Sequence, residues 1–369
     1  MFPADRLFFP LAAAYALLAP LLWMASVSGW LPARSAYWHA HELLFGYALL
    51  VVAGYLVGRA KRNLLSALLC AWLAARIAPW IAGEHSIVAA APQLAFTAVV
   101  AAITAWPFLR AAKKLQNRVF GPVFVAFFAC DAVYVAGALR GDAALQAAAL
   151  SNTVDVYALL LVVMGGRVIP AAIAGHHYRT GRVLEHRVQP PLEIAVIATL
   201  LSMILLDVLP GTRAYAGACA MAAAVLTAVR AWRWQVWTVL DQPQLWALAL
   251  GYAWLVPGLA VKGYALWSAG SAAGAAQHSL TIGALGTMTL VMMARTALQR
   301  GKQSLASLRD IAGAALLLGA AAVVRLSVPA MTPASLPALW LAALLWAVAF
   351  ALLLRRLLVP PPARPNHAD

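Results

Sequence analysis

Twelve apolar runs, each about long enough to cross a bilayer as a helix of roughly 20 residues, dominate this chain. They fall at about 7–28, 40–58, 64–82, 87–109, 119–139, 150–172, 191–209, 213–229, 244–268, 278–298, 308–327 and 334–358. A lipid-embedded segment must satisfy its own backbone hydrogen bonds, so each run is expected to be helical. The run at 213–229 is short and the stretch 143–174 is longer than one span needs, which leaves eleven and thirteen open as neighbouring counts. Composition points the same way. Of 369 residues, 64% are hydrophobic and 11% charged, and the mean hydropathy is +0.82. A soluble domain carries about 25% charged residues, so a soluble enzyme, a disordered chain and a secreted disulfide scaffold are excluded. The expected fold is all-α: a polytopic membrane helix bundle of about 12 transmembrane helices in one domain, 1–359, with a short proline-rich tail, 360–369.

The net charge is +15, from 27 Lys+Arg against 12 Asp+Glu. On a soluble protein that excess suggests nucleic acid; here it follows the loops, and no nucleic-acid partner is expected. Numbering the loops in order, the even ones carry Arg59, Lys61 and Arg62; Arg110, Lys113, Lys114 and Arg118; Arg167, Arg179, Arg182 and Arg187; Arg230 and Arg233; and Arg295, Arg300, Lys302 and Arg309. With Arg6, Arg355, Arg356 and Arg364 at the termini, 21 basic residues fall on one side, against four (Arg34, Arg140, Arg213, Arg325) on the other. By the positive-inside rule both termini are expected in the cytoplasm. The N-terminal segment lacks a basic leader and cleavage site, so the first run is expected to be a retained helix.

This topology sorts the eight histidines. His39 and His41 open the second helix and His278 opens the tenth, so all three are expected at one depth near the outer face. His176, His177 and His186 fall in a cytoplasmic loop, His85 in an outer loop and His367 in the tail. Imidazoles from facing helices at equal depth suit the two axial positions of a low-spin haem b, and imidazole is also a good copper ligand. Residues two apart on a helix point about 200° apart, so His39 and His41 cannot face one centre. His41, further in, is assigned to haem with His278; His39 is left for a second metal or for a contact that supports a ligand, and Glu42 is assigned to receive an imidazole N–H. The alternative is interfacial histidines held by water or carbonyls.

Arg76, Asp131, Asp155 and Lys262 lie inside spans, with Glu193 and Asp207 near span ends. Such residues face a bundle interior, either as structural ion pairs or as a proton path. Cys70, Cys130 and Cys219 stand singly, giving no disulfide framework, thiolate zinc site or covalent haem attachment. Walker A, Rossmann, HExxH and GxSxG motifs are absent.

Three blocks carry a family resemblance. Trp38-His39-Ala40-His41-Glu42-Leu43-Leu44-Phe45-Gly46 resembles the WHAHEMLFG signature of the NnrS family. Gly165-Gly166-Arg167-Val168-Ile169-Pro170 is similar to its GGRVIP segment, and His278 through Met288, continuing to Arg295, to its HxxTxGAxGTM…R block. The resemblance implies a bacterial inner-membrane protein associated with haem, copper and the nitric oxide response. It carries His39, His41, Glu42 and His278 over as haem or copper residues and marks Gly166, Arg167 and Arg295 as family positions of unknown role. The chain departs from the family pattern after Arg295, where Thr296 to Gly301 replace a GHTG-type sequence, and after the second helix, where Val57 to Arg62 replace VPNWTG. His176 and His177 are a candidate substitute for a cytoplasmic-side site. A more distant likeness is to haem–copper oxidases, whose low-spin haem ligands also sit at the outer ends of helices two and ten. The expected function is a haem b protein of the nitrosative-stress response. The alternatives are an electron carrier or quinol-linked redox enzyme using the same haem, and a cofactor-free transporter.

Overall fold

Helices form where the apolar runs lie, and the computed structural model describes them over residues 1–111, 115–268, 273–301, 303, 308–328 and 331–359. The tail with Arg364 and His367, and Lys113, Lys114 and Lys302, lie outside the described residues. The long helices are α1 (Asp5–Val27), α2 (Ala36–Leu56), α3 (Arg62–Ala82), α4 (Ile87–Arg110), α5 (Phe120–Arg140), α6 (Ala143–Arg179), α7 (Pro190–Asp207), α8 (Arg213–Trp232), α9 (Pro243–Trp267), α10 (Ala276–Arg300), α11 (Arg309–Leu326) and α12 (Leu336–Leu358). Among the described residues, eleven helices are long and apolar enough to cross a membrane. The helix outside that set, α11, has 18 residues and carries Arg309, Asp310 and Arg325 at its ends. The chain is a multi-pass membrane helix bundle.

Sequence neighbours pack as antiparallel pairs, and α1 lies against α12, so the first and last helices adjoin. The apolar windows of α2, α6 and α10 are 67%, 67% and 78% buried, against 22% for α7, so these three helices form the centre. A short antiparallel pair, β1 (Phe2–Pro3) with β2 (Arg59–Ala60), ties the N-terminus to the α2–α3 connection.

Two features differ from the sequence expectation. The stretch 143–179 is one helix of 37 residues, and at 1.5 Å per residue it is about 55 Å long, well beyond a roughly 30 Å hydrocarbon core. It starts from a two-residue turn: Gly141 takes a left-handed φ of 69°, and the Asp142 side chain caps the new helix by accepting from Leu145 N at 2.9 Å. His176 and His177 therefore sit on the last turn of α6 and not in a loop. Secondly, Arg230 and Arg295, counted above as loop charges, are 2% and 6% exposed inside α8 and α10. Arg230 ion-pairs with Glu193 at 3.3 Å and donates to Val162 O at 3.2 Å.

That buried arginine explains a sequence glycine. A Cβ on Gly166 would lie 2.0 Å from Arg230 Nη2, and one on Gly165 2.4 Å from the Tyr252 ring. Gly166→Ala is expected to destabilise the fold by about 1–3 kcal/mol through overpacking. The readout is a lower thermal unfolding midpoint in detergent, with Gly313→Ala, at a helical position with nothing within 4 Å, as the control whose midpoint does not fall.

Candidate functional site

The first turn of α2 is fastened before its histidines begin. Ser35 caps it, accepting from Trp38 N at 3.0 Å and donating to Glu84 Oε2 at 3.0 Å. Arg34 lies 3.3 Å from Glu84 and stacks its guanidinium 4.1 Å above the Trp80 ring. From this anchored start His39 and His41 leave the helix on opposite sides, and each meets a different environment.

His41 is 6% exposed and enters a polar circuit. Its Nε2 donates to Asp131 Oδ1 at 2.8 Å, and its ring stacks on Tyr134 with centroids 4.2 Å apart. Asp131 Oδ2 also accepts from Thr97 Oγ1 at 2.5 Å and Gln93 Nε2 at 2.7 Å. Gln93 Oε1 accepts from Arg76, and Arg76 Nη1 donates to Glu42 Oε2 at 2.8 Å. Tyr15 OH also donates to Glu42. The circuit closes through the adjacent residues His41 and Glu42. A small cavity of about 40 Å³, lined in part by Trp38, His41, Glu42, Gln93 and Tyr134, lies beside it.

His39 faces the other way, into a cavity of about 280 Å³ that it shares with His278. Trp23 stacks on the His39 ring at 4.2 Å and 20°, and His39 Nδ1 is buried without a hydrogen-bond partner. His278 Nδ1 lies 2.6 Å from Gly274 O. A carbonyl only accepts, so Nδ1 carries a proton, and in the neutral ring Nε2 then keeps the free lone pair, the arrangement that metal-ligating histidines use. The walls include Met24, Leu43, Ile282, Leu285 and Trp346, and the charged group in the lining is Arg325, which donates to Val328 O at 2.8 Å.

Directly after His41 and His278 the backbone widens into a π-helical stretch, Glu42–Ala48 in α2 and Ser279–Gly286 in α10. Such turns are uncommon and concentrate at functional sites. Carbonyls there find side-chain donors: Tyr157 OH to Leu44 O and Trp72 Nε1 to Gly46 O, both at 2.8 Å. Tyr47 OH and Thr289 Oγ1, 2.5 Å apart, join the two helices.

The structure thus brings His39, and not His41, together with His278. The sequence expectation paired His41 with His278; the 200° step holds, but the contact with Asp131 turns His41 away from the cavity. Glu42 is engaged by Arg76 and Tyr15, with His41 Nδ1 at 3.8 Å, beyond hydrogen-bond reach. The four intramembrane charges separate into two clusters: Arg76 with Glu42 beside Asp131, and Lys262 with Asp155 and Asp207. His85 Nδ1 lies 2.7 Å from Ala138 O, and His177 Nε2 2.9 Å from Thr238 Oγ1. Arg167 stacks on Phe120 at 4.8 Å, and Arg295 Nη1 is buried without a partner. Among the described residues no group of three or more His, Cys, Asp or Glu side chains converges as a metal site. Sequence reasoning missed Gln93 and Thr97; their available signal was a polar pair four apart on one face of an apolar run. Trp23, Tyr134 and the role of Arg325 left no local signal.

Fold and site together define a multi-pass membrane protein with two imidazoles in an apolar cavity near one end of its bundle. The family model described as "NnrS protein" matches residues 4–359, and the chain belongs to that family. No curated protein matches the chain.

The ionic contacts here make a direct test of the circuit. Arg76→Met leaves Glu42 buried without its counter-charge and is expected to destabilise by about 3–5 kcal/mol. Arg76→Met combined with Glu42→Gln recovers most of that loss, as read by thermal unfolding midpoints.

Proposed function

We propose that this protein binds haem b in the cavity shared by His39 and His278, and acts through it in the nitric oxide and nitrosative-stress response at the bacterial inner membrane. One observation carries the reading: two imidazoles from α2 and α10 line a single apolar cavity, and neither has its ligating lone pair engaged by a protein donor. NnrS membership supports a general membrane redox role in nitrosative stress. The placement of one histidine near the start of each of α2 and α10 parallels the low-spin haem positions of haem–copper oxidases, and the basic-residue bias of the loops supports reading that end as the outer one.

The residues present suit this group. Two neutral imidazoles, an aromatic and aliphatic lining and one arginine match a flat apolar macrocycle with anionic propionates. When bound, haem supplies one-electron redox chemistry. The rest belongs to the chain. Gly274 O fixes the His278 tautomer, and Trp23 holds the plane of the His39 ring. Arg325 supplies positive charge for a carboxylate, and the apolar walls exclude water. His41 and Glu42 act on the site from outside it: locked into the Asp131 and Arg76 circuit, they set the rotation of α2 that points His39 inward. Copper is the second group these two imidazoles would suit, since neutral imidazole is a good ligand for it as well.

Protein purified from haem-supplied cells is expected to show a Soret band and low-spin visible bands. His39→Ala and His278→Ala each lose the low-spin spectrum, whereas His41→Ala keeps it with a lower unfolding midpoint. Loss in His41→Ala with retention in His39→Ala would return the ligand role to His41. A wild-type protein with no Soret band would remove the haem reading and leave cofactor-free transport. Reduction of the bound haem by a quinol would identify the electron source.

A further inference from the structure

The α6, α7 and α9 helices each send one charged side chain to a single buried point away from the imidazole cavity. Asp155 on α6 is fully buried, Lys262 on α9 is 8% exposed, and the Asp207 side chain at the end of α7 is 13% exposed. Lys262 Nζ donates to Asp155 Oδ2 and lies 3.3 Å from Asp207 Oδ2. Asp155 Oδ1 is buried with no hydrogen-bond partner. The base of the lysine stem is held where α8 and α9 touch through glycines: a Cβ on Gly217 would lie 2.7 Å from Gly263 O.

The charge count is uneven. Two carboxylates face one ammonium, so full ionisation leaves one excess negative charge in a water-poor, low-dielectric interior. An isolated buried anion is strongly disfavoured, and groups so placed neutralise instead. The other groups on the packed helices do not restore the balance. Arg230 of α8 is engaged by Glu193; Arg213 and Tyr215 are exposed at the start of α8; Cys219 of α8 and Cys130 of α5 are free cysteines and supply no cation. Among the described residues, no further cation reaches the triad.

We propose that Asp155, Lys262 and Asp207 form a proton-binding site that holds one proton between its two carboxyl groups and exchanges it with the membrane face at Asp207. That face is opposite the basic segment with Arg179, Arg182 and Arg187 that precedes α7, and Asp207 is the most exposed member of the triad. The lysine makes the exchange feasible. Its flexible stem keeps Nζ within reach of both carboxyls, so it pairs with whichever is ionised while the proton resides on the other. With the proton on Asp155, the bare Oδ1 becomes part of a neutral carboxyl, which the apolar surroundings tolerate far better.

Infrared spectroscopy of the full-length protein in lipid tests this by counting protonated carboxyls. The wild type is expected to carry a carboxyl C=O band that shifts in D2O. Asp155→Asn and Asp207→Asn each leave one carboxylate per ammonium, so both variants are expected to fold and to lose the intensity of one carboxyl. Lys262→Met leaves two carboxyls without a cation and is expected to gain the intensity of one. If the band keeps its wild-type intensity in either Asn variant at neutral pH, the triad is a static ion pair and the proposal is overturned. The band reports carboxyl protonation directly, so the result is independent of whether haem occupies the other cavity.

Discussion

The rotation of α2 about its own axis decides what the histidine-bearing end of this bundle can do, and one buried contact sets it. His41 Nε2 donates to Asp131 Oδ1, a carboxylate already oriented by Thr97 and Gln93 on its other oxygen. In lipid there is no water to take over any of these bonds, so each member holds the next against a large desolvation penalty. Glu42 and Arg76 continue the circuit, and Gly46 makes room for it: a Cβ there would lie 2.5 Å from Arg76 Nη1. With His41 fixed toward α5, helical geometry leaves His39 no direction except toward α10.

The second and tenth helices solve the same steric problem in parallel. Each carries a histidine, then widens into a π-helical stretch, then returns to α-helix. The extra residue per turn changes which side chains face the bundle axis downstream, and glycines in that stretch admit large neighbours. A Cβ on Gly283 or Gly286 would stand 2.5 Å from the Trp254 or Trp346 ring. Trp346 in turn lines the imidazole cavity and donates to Ala16 O at 2.7 Å, so the glycines of the His278 block shape the cavity wall as well as the packing.

The division between what was legible in the sequence and what was not follows from the physics. Hydropathy located the spans because lipid demands it, and the common depth of His39, His41 and His278 followed from span order alone. Helical periodicity then established that the two α2 histidines point apart. It supplies only a relative angle; the absolute rotation depends on Asp131, 90 residues away on α5, and that contact has no local signature. Arg230 shows a different failure. A hydropathy window treats an arginine as the edge of a span, and an arginine paired with Glu193 inside the bundle looks the same as one in a loop. The continuous α6 escaped for a related reason: His176, His177 and Arg179 resemble loop residues, yet they extend a helix beyond the apolar core.

Separation of the buried charges has a mechanical consequence. Asp131 and Asp155 lie on adjacent helices and invite reading as one path, but each is claimed by a different set of partners on different helices. The imidazole cavity lies beside α6, where Val154 lines its wall, while the next residue, Asp155, points about 100° around the helix toward Lys262. On the other side, α2 presents His39 to the cavity and His41 to the Asp131 circuit. Each of these helices thus carries a cavity-lining residue and, one or two positions on, a cluster residue that does not line the cavity. The cavity and the two clusters share one low-dielectric interior, where Coulomb interactions are far less screened than in water.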